Sequence, residues 1–133
     1  MKINHIGYAV RDIEKARLSF EALGYQFQKL TEDFDRNIAV QFGEKDGYRI
    51  ELVSPLKGRE KGNTPVDTIL QTVGNTPYHI CYSSSDLKKD IELLEAQKYK
   101  VIIPAERAEA FDGRKVVFML NRTIGIIEIV EES

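Results

Sequence analysis

Histidine, cysteine and net charge are all scarce in this chain of 133 residues, which carries two histidines, one cysteine and a formal net charge of −2. The one cysteine, Cys81, cannot close an internal disulfide, in keeping with a reducing compartment. With so little charge in excess, nothing draws the chain electrostatically to nucleic acid or to an acidic membrane surface. Apolar runs stop at strand length and the opening MKINHIGYAV lacks the apolar core of a signal peptide, so the expectation is a cytoplasmic protein that neither spans a membrane nor is exported. No glycine-rich phosphate loop follows a strand and no Ser/His/Asp order is available, which sets aside phosphate-cradling and triad hydrolase chemistry. The length fits a single domain, 1–133.

What the chain does have is a repeat. Its two histidines open stretches that match without a gap, HIGYAVRDIEKARLSFEALGYQF from His5 and HICYSSSDLKKDIELLEAQKYKV from His79, with 8 of 23 pairs identical. The match resumes where RIELV, ending at Val53, answers IIEIV, ending at Val130, so Glu51 and Glu128 are equivalent positions of one duplicated unit. Each copy therefore offers one His and one Glu. Such a set, related by a pseudo-twofold, is what a metal site at the junction of two modules would look like.

Periodicity predicts the same elements twice. A strand over about 3–10 leads to a helix over about 12–23, with Asp12 as N-cap, Ile13, Ala16, Phe20 and Leu23 as its buried stripe, and Gly24 ending it. YQFQKL, NIAVQF and YRIELV read as strands, the last two joined at Lys45-Asp46-Gly47. The second copy predicts a strand over 77–83, a helix after Ser85-Asp86 carrying Leu87, Ile91 and Leu94, and strands near 100–103, 115–121 and 124–130. The fold expected is α+β, two tandem βαβββ modules at about 1–54 and 77–133. The linker at about 55–76 opens in proline, glycine and charge and ends in a short helix from about Pro65.

Strand alternation places His5 on one face with Gly7 and Ala9, while Ile6, Tyr8 and Val10 turn to the helix side. His79 shares its face with Cys81 and Ser83, small residues that imply a cavity. Glu51 and Glu128 fall on that same face, each flanked by core residues, and a carboxylate so placed is costly unless paired or bound to metal. A metal site is the favoured reading. A fossil repeat whose His/Glu pairs are only hydrogen-bonded across the sheet is the other. Cys81 reads as packing rather than nucleophile, since nothing is visible to activate it. Phe34, Phe42, Phe111 and Phe118 read as core or pocket wall. KGREKG at 57–62 reads as a solvated loop that could also meet an anion, and PAERAEAFDGRK at 104–115 as a loop able to cover the pocket or as an ordinary connection.

HIGYAV before a helix at Asp12, IELVSP, YHICY and the closing GIIEIVE resemble the vicinal-oxygen-chelate superfamily over essentially the whole chain. The resemblance implies an incomplete barrel around a divalent metal held by His5, Glu51, His79 and Glu128, and a homodimer. Its members include glyoxalase I, methylmalonyl-CoA epimerase, ring-cleaving dioxygenases and metal-free antibiotic-binding proteins. Four strong ligands argue against a dioxygenase, which holds iron with two His and one carboxylate. What remains is proton transfer next to a carbonyl, with Glu51 and Glu128 as the catalytic carboxylates.

Glyoxalase I, isomerising the hemithioacetal of methylglyoxal and glutathione through an enediolate, is the reading preferred on residue chemistry, because IAVQF offers no spare acid outside the ligand set. The alternatives are methylmalonyl-CoA epimerase and a non-enzymatic small-molecule-binding protein. Two departures favour the epimerase: Ala9 stands where glyoxalase I commonly has arginine, and Asn121-Arg122-Thr123-Ile124 stands where it usually has Asp-Pro-Asp-Gly. The metal expected is nickel or cobalt, with zinc or manganese next. A thiol adduct or an acyl-CoA is anionic, so Arg11, Arg49, Lys57, Arg59, Arg107, Arg114 and Arg122 are candidate contacts, Arg49 and Arg114 the preferred ones.

Overall fold

The alternation of apolar and polar residues resolves into nine strands and three α-helices in a computed structural model that describes residues 1–58 and 63–132. In chain order these are β1 (Lys2–Ala9), α1 (Ile13–Ala22), β2 (Gln26–Phe27), β3 (Thr31–Asp33), β4 (Ile38–Lys45), β5 (Tyr48–Pro55), α2 (Asp67–Thr72), β6 (Thr76–Ser84), α3 (Leu87–Ala96), β7 (Lys100–Arg107), β8 (Lys115–Asn121) and β9 (Gly125–Glu131). The fold is mixed α+β, and its sheet is open rather than closed. Among the described residues no helix is long and apolar enough to cross a membrane. The chain divides into two units, 6–78 and a discontinuous one made of 1–5 with 79–133.

In the unit 6–78, α1 begins because the Asp12 carboxylate accepts from the Lys15 N–H. It stops at Gly24, φ 100°, where the N–H groups of Gly24 and Tyr25 fold back on the carbonyls of Glu21 and Phe20. Ile13, Ala16 and Phe20 pack on Val10, Ala39, Ile50 and Leu52 to make the core. Leu23, expected to extend that stripe, is exposed, because as the C-cap it sits where the chain turns away from the sheet. β4 and β5 form a hairpin whose two turn residues, Asp46 and Gly47, both have positive φ, as the right-handed twist of the flanking strands demands. The Ile6–Ala9 end of β1 runs parallel to β5, with Gly7 beside Glu51. YQFQKL yields only the two residues of β2; the short β3 follows it, and both pair with β4.

In the other unit β6 and β9 run parallel, with Cys81 beside Glu128, and β8 joins β9 to β7 in antiparallel pairing. Asp86 caps α3 through the Lys89 N–H, and Leu87, Ile91 and Leu94 pack on Val117, Met119, Ile127 and Ile129. The two helices and their caps follow the duplicated pattern.

Several expectations need correction. Ile6 is exposed rather than buried on the helix side, while Tyr8 and Val10 do join the core. Phe34 is exposed in the connection between β3 and β4, not core. Of the segment 104–115, the first four residues extend β7, Glu109–Phe111 form one 3-10 turn, and the rest is a tight connection into β8. Residues 59–62 of KGREKG, with Arg59, lie outside the described residues.

Candidate metal centre

His5, Glu51, His79 and Glu128 are all buried, between 1% and 5% exposed, and are of the kinds that could hold a metal ion. Three of them belong to one unit and meet there. Glu128 Oε1 lies 3.2 Å from His5 Nε2 and 3.2 Å from His79 Nε2, and the two Nε2 atoms are 3.3 Å apart. This near-equilateral triangle is set by strand order: β1 supplies His5, β6 His79 and β9 Glu128, each side chain on the face away from α3.

The triangle has the dimensions of a coordination face. Donors bound to one metal at about 2.1 Å, with angles between about 90° and 109°, are themselves about 3.0–3.4 Å apart. Hydrogen bonding leaves it incomplete, because Glu128 Oε1 is fully buried and, among the described residues, has no donor in hydrogen-bond geometry. Burial alone raises the Glu128 carboxyl, but the attraction of the His5 and His79 imidazoles outweighs it and holds the group well below the usual carboxylate range. An ionised carboxylate buried against two imidazole nitrogens, with an acceptor atom unsatisfied, fits a divalent cation.

Around this centre His5 and His79 are held by aromatic rings. Phe111 stacks on His5 with centroids 5.7 Å apart, and Phe118 meets His79 edge-on at 5.5 Å. His5 Nδ1 lies 2.8 Å from Asn4 Oδ1, and the Asn4 amide donates to Ser83 Oγ at 3.0 Å. Ser83, expected to leave open space, is thereby engaged. Asn4 escaped the sequence reading because an asparagine beside a strand histidine has no period or spacing to mark it.

Glu51 stands in the unit 6–78, on β5 between Gly7 of β1 and Phe42 of β4, with Ile50 and Leu52 turned to the helix side as predicted. Arg49 shares the Glu51 face and lays its guanidinium on the Phe42 ring, 3.9 Å from the centroid. Arg114 instead braces the backbone: Nε donates to the Phe111 carbonyl at 3.0 Å and Nη1 reaches the Glu131 carbonyl at 3.4 Å. Arg11 and Arg107 also donate to backbone carbonyls, those of Leu70 and Gly113, and Lys57 lies 3.8 Å from Asp12. Arg122 is exposed in the turn before β9.

The family model described as the glyoxalase/bleomycin resistance protein/dioxygenase superfamily matches residues 4–118. No curated protein matches the chain. Among solved structures, a hypothetical protein from Bacillus halodurans is similar at TM-score 0.82 and 22% identity, over 99% of this chain and 94% of that one. Methylmalonyl-CoA epimerase from Mycobacterium tuberculosis is similar at TM-score 0.81 and 22% identity, over 99% and 88%. A Streptomyces coelicolor methylmalonyl-CoA epimerase variant in complex with 2-nitronate-propionyl-CoA gives TM-score 0.82 at 18% identity, over 100% and 98%.

Proposed function

Because the chain belongs to the glyoxalase/bleomycin resistance protein/dioxygenase superfamily, we propose that it is a metal-dependent enzyme that moves a proton at the carbon next to a thioester carbonyl, with a methylmalonyl-CoA-type acyl-CoA as substrate. The observation that carries the reaction class is the triangle of His5 Nε2, His79 Nε2 and Glu128 Oε1. Glu51 is the proposed fourth ligand, at the position that the repeat pairs with Glu128. When bound, a divalent metal, nickel or cobalt first and zinc or manganese next, supplies positive charge for the oxygen that becomes anionic as the proton leaves.

The chain's own residues do the rest. His5 and His79 present neutral nitrogens. Glu51 and Glu128 are the proposed proton carriers, one removing the proton and the other returning it to the opposite face. Phe111 and Phe118 wall the imidazoles on one side and restrict water there. The likeness to the epimerases supports the acyl-CoA substrate, and Ala9 and the Asn121-Arg122-Thr123-Ile124 turn agree with it. A homodimer is part of the proposal by family resemblance, with Arg49 and Arg114 the preferred substrate contacts.

Glyoxalase I is the second reading, and one observation favours it. The buried β4 residues on the Glu51 face are Ile38, Val40 and Phe42, all apolar, and the carboxylate of that strand face, Glu44, is exposed opposite Arg49, so β4 offers no buried acid beside the proposed ligand set. The test is metal-free protein reloaded separately with nickel, cobalt, manganese and zinc. It is offered one methylmalonyl-CoA epimer and, in parallel, the glutathione hemithioacetal of methylglyoxal. Epimer exchange supports the proposal, thioester formation from the hemithioacetal replaces it with glyoxalase I, and silence with both despite bound metal leaves a binding protein.

A further inference from the structure

The geometry points to Asn4 as a positioning residue that fixes which nitrogen of His5 is free to bind metal; this rests on the metal-centre reading above. A neutral imidazole carries one N–H and one lone pair, and which nitrogen holds the proton is decided by what the other faces. His5 Nδ1 faces Asn4 Oδ1 at 2.8 Å, an oxygen that can only accept, so Nδ1 carries the hydrogen and donates it. The lone pair is thereby left on Nε2, the atom 3.2 Å from Glu128 Oε1 and 3.3 Å from His79 Nε2.

The other end of the amide is engaged as well, its Nδ2 donating to Ser83 Oγ at 3.0 Å. Flipping it would set an N–H against His5 Nδ1, whose hydrogen would then move to Nε2, the atom a metal needs bare, while the Ser83 hydroxyl, able to donate or to accept, fits either way. Ser83 on β6 thus anchors Asn4 on β1, and Asn4 holds the ring, a relay that ties the two strands carrying the histidines. The repeat does not duplicate it: the residue before His79 is Tyr78, whose side chain offers no carbonyl oxygen.

The experiment uses the full chain and two readouts, nickel and cobalt affinity by calorimetric titration, and the His5 tautomer in metal-free protein from imidazole nitrogen chemical shifts. Asn4→Leu should weaken affinity by about 10–100-fold, the usual effect of losing such a partner, and should shift the His5 tautomer balance away from Nδ1–H. Asn4→Asp keeps an acceptor at the same place and should retain both the affinity and the tautomer. Ser83→Ala should fall between them. Unchanged affinity and tautomer in Asn4→Leu would overturn the inference, as would Asn4→Asp failing as badly as Asn4→Leu, since that marks mere packing. Should the wild-type protein bind neither metal, the metal-centre reading fails by itself, and the tautomer shift alone decides for or against Asn4.

Discussion

Glu128 Oε1 stands 3.2 Å from His5 Nε2, yet among the described residues no donor reaches it in hydrogen-bond geometry. Atoms so placed converge on a point between them rather than on each other, and a cation at that point relieves the cost of burying the charge. Metal added at about 100 times its Kd should therefore stabilise the protein by about 2.7 kcal/mol, read as a rise in Tm that His79→Ala abolishes. An unchanged Tm across the four metals would remove the metal from the account.

Replacing the carboxylate while keeping its shape separates chemistry from folding. Glu128→Gln should fold and lose about 10²–10⁴-fold in turnover, the range expected for a lost proton-transfer group. Kinetics on whichever substrate the wild-type turns over would check this, and equal kcat in the variant rules Glu128 out as a proton carrier.

The same carboxylate predicts an acid sensitivity. Burial pushes its pKa up, the neighbouring imidazoles pull it further down, and the folded value ends well below the ordinary 4.5. A depressed folded pKa contributes stability that is complete above the unfolded value and is lost as pH falls through the folded one. Metal-free wild-type protein should thus lose stability to urea more steeply than Glu128→Gln as pH drops below about 5. Parallel slopes would contradict the depressed value.

Away from the centre, Gly43 is held to glycine by contact rather than by backbone angle. A Cβ there would lie 2.5 Å from Cε1 of Phe27, whose ring lies over it. Gly43→Ala should cost about 1–3 kcal/mol in chemical unfolding, with nickel affinity unchanged.

Asp86→Ala removes the side-chain acceptor that starts α3 and should cost about 1 kcal/mol. Asp86→Ser, which keeps a cap, should recover most of it in the same unfolding assay.

Elements that obey local rules were legible in the sequence. Asp12 and Asp86 announce their helices because capping is decided within a few residues, and the duplication put both His/Glu pairs in register without any knowledge of packing. β7 was read short for a physical reason. Pro104 argues for a loop, but it sits in a strand that is exposed along most of its length, where a missing N–H is tolerated, and two register shifts against β8 erase the alternation a sequence reader seeks. Phe34 and Leu23 were misjudged because hydrophobicity records what a side chain prefers, whereas a turn tip and a C-cap place it by backbone geometry. Asn4 was invisible for want of any pattern, its role being set by Ser83, 79 residues on.

The discontinuity of the unit built from 1–5 and 79–133 has a consequence for biosynthesis. On a ribosome adding about 5–20 residues per second, Glu128 is made roughly 6–25 s after His5. The segment 6–78 is contiguous and is translated before then, so β9, made after the other strands of its unit, is the one that completes the triangle of donors. A nascent chain released short of β9 has both imidazoles but lacks Glu128, the third corner of the triangle.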